Sequence, residues 1–169
     1  MLPKLFFENH FTGKVKDSLF VAMASDGSDK EKNETIKQVA KVSNGIRNFK
    51  DIVYVQEDPS SDDITFKIFD AITTSRTLLF DLSNDLRLCK GCWFKKNKGE
   101  LVNANVMYEL GVTLSIRNPN SILLIRKKSD GPLEKVPFDI RGIGIQTYDT
   151  LDEKFLKSLF EGQEKRKSY

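Results

Sequence analysis

Leu19-Phe20-Val21-Ala22-Met23-Ala24, closed at once by Ser25-Asp26-Gly27-Ser28, is the stretch on which the fold turns. Six apolar residues in a row leave no polar face, so a strand formed here is covered by protein on both sides. Unbroken runs of this kind belong to parallel sheets, whereas antiparallel sheets with one wet face alternate. The run recurs downstream as Ile52-Val53-Tyr54-Val55, as Thr77-Leu78-Leu79-Phe80 ending on Asp81, and as Ser121 to Ile125, with Ile143 to Thr147 as a fifth strand. Helical patterns lie between them. Asp29 to Val42 places Ile36, Val39, Ala40 and Val42 near helical spacing, with Asn44-Gly45 as its stop. Asp62 or Asp63 caps a helix with the apolar face Ile64, Ile68, Ala71 and Ile72. Another helix starts at Asn103 or Ala104, runs to about Arg117 and stops at Asn118-Pro119, and Leu151 to Phe160 forms the last, before the charged tail Glu161 to Tyr169.

Strands alternating with helices predict an α/β fold: a flavodoxin-like, doubly wound, mainly parallel five-stranded sheet with helices on both faces. Residues 1–169 read as a single domain with its core at about 18–160. Ligands of such sheets sit at the carboxyl ends of the strands, where strand order reverses. The segments following strands one and three, Ser25 to Ser28 and Asp81 to Ser83, are both polar. Residues 83–102 carry Lys90, Lys95, Lys96 and Lys98 without periodicity, and connections of that length are often functional.

Composition narrows the class. Of 169 residues 39% are apolar and 30% charged, which excludes a disordered chain, a collagen-like repeat and a coiled coil. The longest apolar runs, Leu19 to Ala24 and Ile122 to Ile125, fall far short of the ~20 residues that span a bilayer. Met1 to Lys14 mixes Glu8, Asn9 and His10 with its apolar residues, unlike a secretory signal. Two cysteines do not staple a secreted domain, so a reducing, cytoplasmic compartment is expected, with no membrane partner. With 27 basic and 24 acidic side chains the net charge is +3, too small to argue for a specific nucleic-acid partner.

The most informative segment for chemistry is Asn103-Ala104-Asn105-Val106-Met107-Tyr108-Glu109-Leu110-Gly111-Val112-Thr113-Leu114. Apart from Glu109 its second half is apolar or small, which predicts a helix buried around most of its circumference. An ionised carboxylate in such a helix is costly unless it is paired or faces a wet pocket. Asn105 lies one turn before Glu109 on the same face. Spacing alone leaves the readings of Glu109 open: a functional carboxylate, an ion pair with a buried arginine, or a loop cap.

The run Asn-x-Asn-Val-Met-Tyr-Glu-Leu-Gly resembles the active-site helix of bacterial TIR-like proteins, which are similar in turn to the nucleoside 2-deoxyribosyltransferases. Phe20-Val21-Ala22-Met23 resembles the first strand of that superfamily, and Phe80-Asp81-Leu82-Ser83 the end of the third. Val136-Pro137-Phe138-Asp139-Ile140-Arg141-Gly142 is similar to the Pro-Phe-Asp-Leu-Arg-Gly stretch that often precedes the last strand. The four matches occur in order across residues 20–148. Ala104 departs from the family's usual proline, and the insertion between Asp81 and Asn103 is long for it.

The resemblance implies hydrolysis or transfer at the N-glycosidic bond of NAD or a related nucleotide, in bacterial defence or toxin activity, often switched on by oligomerisation. It carries the catalytic role onto Glu109 alone, with no cofactor, since the nucleotide is the substrate. Departure of the base leaves an oxocarbenium-like centre that a carboxylate stabilises by charge or by bond formation. The expected partners are a nucleotide-type small molecule and either further copies of the chain or a fused or partner protein. Two alternatives stay open: a non-catalytic nucleotide-sensing or assembly module, and a housekeeping nucleoside or deoxynucleotide hydrolase.

Other residues are candidates for substrate binding. Asp81 and Ser83 are placed to meet ribose hydroxyls or a base edge, although Asp81 reads equally as a loop cap. Asn105 would position the sugar and the carboxylate. Met23, Ser25, Gly27 and Ser28 would wall the pocket after strand one, where a helix start favours phosphate; no P-loop and no Gly-x-Gly-x-x-Gly is present. Trp93 and Phe94 could form a lid or a partner contact. Cys89 and Cys92 have metal or redox spacing but no second pair, so no metal site is expected, and His10 is the only histidine. Asp139 and Arg141 read as a structural ion pair securing the last strand.

Overall fold

The computed structural model describes residues 13–24, 29–47, 49–54, 64–84 and 102–167. Five strands, β1 (Lys16–Ala22), β2 (Asp51–Val53), β3 (Ser75–Asp81), β4 (Ile122–Lys127) and β5 (Ile145–Tyr148), form one sheet in the order β2-β1-β3-β4-β5. Every adjacent pair is parallel. The helices are α1 (Asp29–Arg47), α2 (Ile64–Thr74), α3 (Ala104–Ile116), the single turn α4 (Phe138–Arg141) and α5 (Glu153–Lys167). The expected flavodoxin-like, doubly wound architecture is present.

The two-faced burial inferred from the apolar runs resolves into two cores. Leu19, Val21, Leu79, Leu123 and Ile125 face α1 and α5, where they meet Val39, Val42, Leu156, Leu159 and Phe160. Phe20, Ala22, Leu78, Phe80, Ile122 and Leu124 face the other way, against Ala71 and Ile72 of α2, Val106 and Leu110 of α3, and Ile140 of α4. Alternate residues of one strand thus feed opposite layers, each fully buried leucine contributing about 1.5–3 kcal/mol. The chain leaves β1 over one face to reach β2, then returns over the other face to β3 on the far side of β1. Right-handed crossovers require that change of face when the direction of travel reverses. The switch point therefore lies between the carboxyl ends of β1 and β3, beside Met23 and Leu82.

Several expected boundaries move. α1 does not stop at Asn44-Gly45 but continues to Arg47, with Gly45 exposed on its outer side. One glycine on a solvated face costs only about 1 kcal/mol relative to alanine, which packing of Val39 and Val42 outweighs. β2 is Asp51–Val53, starting one residue earlier than expected, while Val55 of the expected strand lies outside the described residues; β5 starts at Ile145 because Gly144 turns the chain with φ 88°. α5 runs on through the charged tail to Lys167. Asp139 and Arg141 do not alternate along a strand: both are exposed on α4, and no ion pair joins them among the described residues. No described helix is long and apolar enough to cross a membrane.

Candidate functional site

α3 begins at Ala104, one of the two starts expected from the sequence. Asn103 is its N-cap, with φ −56° and ψ 129°, and its side-chain oxygen accepts from the N–H groups of Asn105 (2.9 Å) and Val106 (3.2 Å). An asparagine there satisfies two of the four donors a helix start leaves unpaired. Just before it, Val102 pairs with Asn84 in an isolated antiparallel bridge, so the helix start is held beside the carboxyl end of β3.

One stripe of α3, Val106, Leu110 and Thr113, is buried against the sheet. Glu109 lies next to this stripe and is half-buried; the Thr113 hydroxyl donates to its carbonyl at 2.8 Å. Asn105, one turn earlier, is exposed. The expectation of a helix buried around most of its circumference is not met, since Tyr108 is 60% exposed and Gly111 is exposed as well. Apolar composition marks a helix as apolar without saying how many of its sides meet protein. The Tyr108 ring lies 6.3 Å from that of Phe69 on α2. Two arginines on this side of the sheet are committed to backbone: Arg117 to the carbonyls of Thr73 (2.7 Å) and Ser75 (2.6 Å), and Arg126 to that of Leu82 (2.6 Å).

Asp81 ends β3 and is buried. Its Oδ1 accepts from the Ser83 N–H (3.0 Å) and the Ser83 hydroxyl (2.5 Å), and its Oδ2 accepts from the Tyr148 hydroxyl (2.8 Å). Ser83 Oγ in turn accepts the Lys127 N–H at 3.0 Å and lies 3.1 Å from the Tyr148 oxygen. This is the loop-cap arrangement left open beside sugar binding. Burial raises the Asp81 carboxyl above its ordinary value, although Ser83 and Tyr148 pull it down; the nearby Asp130 charge adds to the rise. Burial first, then the Asp81 charge, also pushes the Tyr148 phenol upward, so it stays a donor. Sequence reading missed Tyr148. The available signal was a tyrosine on an inward strand position, whose hydroxyl needs a buried partner.

Tyr148 belongs to the α1/α5 layer, as does the register of Asp81, while α3, which carries Glu109, packs on the opposite face; both carboxylates lie toward the carboxyl edge of the sheet. Met23 is half-buried against the α1/α5 core. Ser25, Gly27, Ser28, Cys89, Cys92, Trp93 and Phe94 lie outside the described residues. A groove of about 570 Å³ occurs elsewhere, between α2 and the first half of β1 with β2, lined by Lys16, Ser18, Asp51, Phe66, Lys67 and Asp70 among others. Among the described residues no group of three or more His, Cys, Asp or Glu is placed to hold a metal ion.

No protein-family profile matches the chain. No curated protein matches it. Among solved structures it is similar to the TIR domain of a Toll-related receptor from Hydra magnipapillata, with a TM-score of 0.51 at 18% identity, over 89% of this chain and 99% of that one. At that identity the likeness concerns the fold, which is TIR-like.

Proposed function

Taking the TIR-like fold as premise, we propose that this chain hydrolyses or transfers the N-glycosidic bond of NAD or a related nucleotide, with Glu109 as the catalytic carboxylate and a role in bacterial defence or toxin activity. The observation that carries the reading is the position of Glu109: a half-buried carboxylate at the margin of the packed stripe of α3, on a helix that starts at the carboxyl edge of a parallel sheet. Open α/β sheets bind ligands at that edge.

In this reading the bond from the anomeric carbon to the base nitrogen breaks, and its electron pair leaves with the base. The Glu109 carboxylate either stabilises the cationic sugar until water adds or forms an ester that water or a second acceptor later displaces. A positively charged nicotinamide leaves as a neutral base and needs no general acid. Asn105, exposed one turn before Glu109, supplies a polar group for the sugar. Asp81 already accepts from Ser83 and Tyr148, which fix its carboxylate at the end of β3, and Oδ2, with a single donor, keeps a lone pair for a ribose hydroxyl.

Incubating concentrated protein with NAD and a panel of nucleosides and nucleotides, and following free base by chromatography, tests the reading. Release from NAD supports it, and release from deoxynucleosides alone moves the assignment to a housekeeping hydrolase. Tight binding without release supports the second reading, a sensing or assembly module, which the exposed Tyr108 on the same helix favours.

A further inference from the structure

We propose that Arg126 is a positioning residue for Glu109: its guanidinium ties the end of β3 to the turn after β4 and so sets where α3 begins. The inference rests on the proposed function for its catalytic consequence and on geometry alone for the positioning.

Arg126 is 1% exposed although it belongs to no ion pair with the described carboxylates. It continues the register of Ile122 and Leu124 on the α2/α3 side of β4. Nη1 donates to the Leu82 carbonyl at 2.6 Å; Nη2 donates to Asn84 Oδ1 at 3.1 Å and to the Asp130 carbonyl at 3.0 Å. Every acceptor is a neutral oxygen, and Nε is buried with no partner. Burying a cation in this way is costly, and an apolar side chain of similar volume is often as stable or more so. What a guanidinium supplies that an apolar chain does not is a rigid planar fork, which fixes the relative placement of the groups it bonds.

Those groups form a closed joint. Asp130 returns its carboxylate to the Asn84 N–H at 2.7 Å. Gly131, with φ 94°, closes the turn behind Asp130 in a conformation that favours glycine. Asn84 pairs with Val102, the neighbour of the α3 cap Asn103, whose carbonyl accepts the Met107 N–H at 3.0 Å. The linkage Arg126–Asn84–Val102–Asn103 therefore reaches the first turn of α3, and Glu109 sits in the next. A displacement of about 1 Å there is enough to slow a positioned reaction up to a hundredfold.

The test measures amide hydrogen exchange and base-release kinetics in Arg126→Lys and in Asp130→Ala, the second at a half-buried position that spares the core. The expected result is faster exchange at Val106 and Met107, by about tenfold, with Leu79 and Leu124 unchanged. In the same variants kcat falls roughly tenfold or more while KM stays within about twofold. Arg76→Ala, which removes an exposed pair with Asp17, changes neither readout. Unchanged exchange at Val106 and Met107 in the folded variants overturns the positioning role, whatever the enzyme does. Faster exchange in a protein whose wild type releases no base keeps the role and removes the enzymatic reading.

Discussion

Asp81 shows how a single residue is governed by its surroundings. Its carboxyl is held above the ordinary 3.8 chiefly by burial. A folded pKa above the unfolded one means that the folded state binds more protons. This group therefore weakens the fold as pH rises from 3.8 through the folded pKa, and the penalty persists above it. Tyr148→Phe removes one of the donors that limit the penalty. The expected loss is about 1.5–3 kcal/mol at neutral pH, and a smaller one in acid where Asp81 is protonated, both read from urea unfolding. An equal loss at the two pH values contradicts the assignment. Asp81 and Glu109 were legible from the sequence because each carboxylate follows or interrupts an apolar run. Arg126 was not: Arg126-Lys127 reads as the polar end of a strand. Strand alternation instead sends the first inward at 1% exposure and leaves the second exposed.

At the scale of elements, α3 decides the site. Its start was legible to within one residue, as Asn103 or Ala104, and the structure makes Asn103 the cap, with two accepted N–H bonds. Asn103→Ala is expected to lower stability by about 1 kcal/mol, measured by chemical denaturation, and no change would show that another group satisfies those donors. Leu110, fully buried beside Glu109, anchors the middle of the helix. Leu110→Ala is expected to cost about 2–5 kcal/mol, and a loss below 1 kcal/mol would mean that the helix rests only loosely on the sheet. The outer side of α3 was not legible, because Tyr108 and Gly111 are as compatible with burial as with exposure. α1 failed in the opposite sense: Asn44-Gly45 has the chemistry of a stop, and tertiary packing against α5 carries the helix past it.

For the whole molecule, the continuous apolar runs encode the architecture directly. A strand buried on both faces needs helices above and below, and the handedness of the crossovers then leaves the order β2-β1-β3-β4-β5 with its switch point at β1 and β3. What the runs do not encode is which side of the sheet each polar residue serves: Asp81 follows the register of Leu79 on the α1/α5 face, whereas α3, which carries Glu109, packs on the other face. The most direct measurement is the rate of nicotinamide release from NAD by the wild type and by Glu109→Gln, with matched unfolding curves for the two proteins. The account predicts release by the wild type and a loss of at least about a hundredfold in the variant. Equal rates in the two would contradict it.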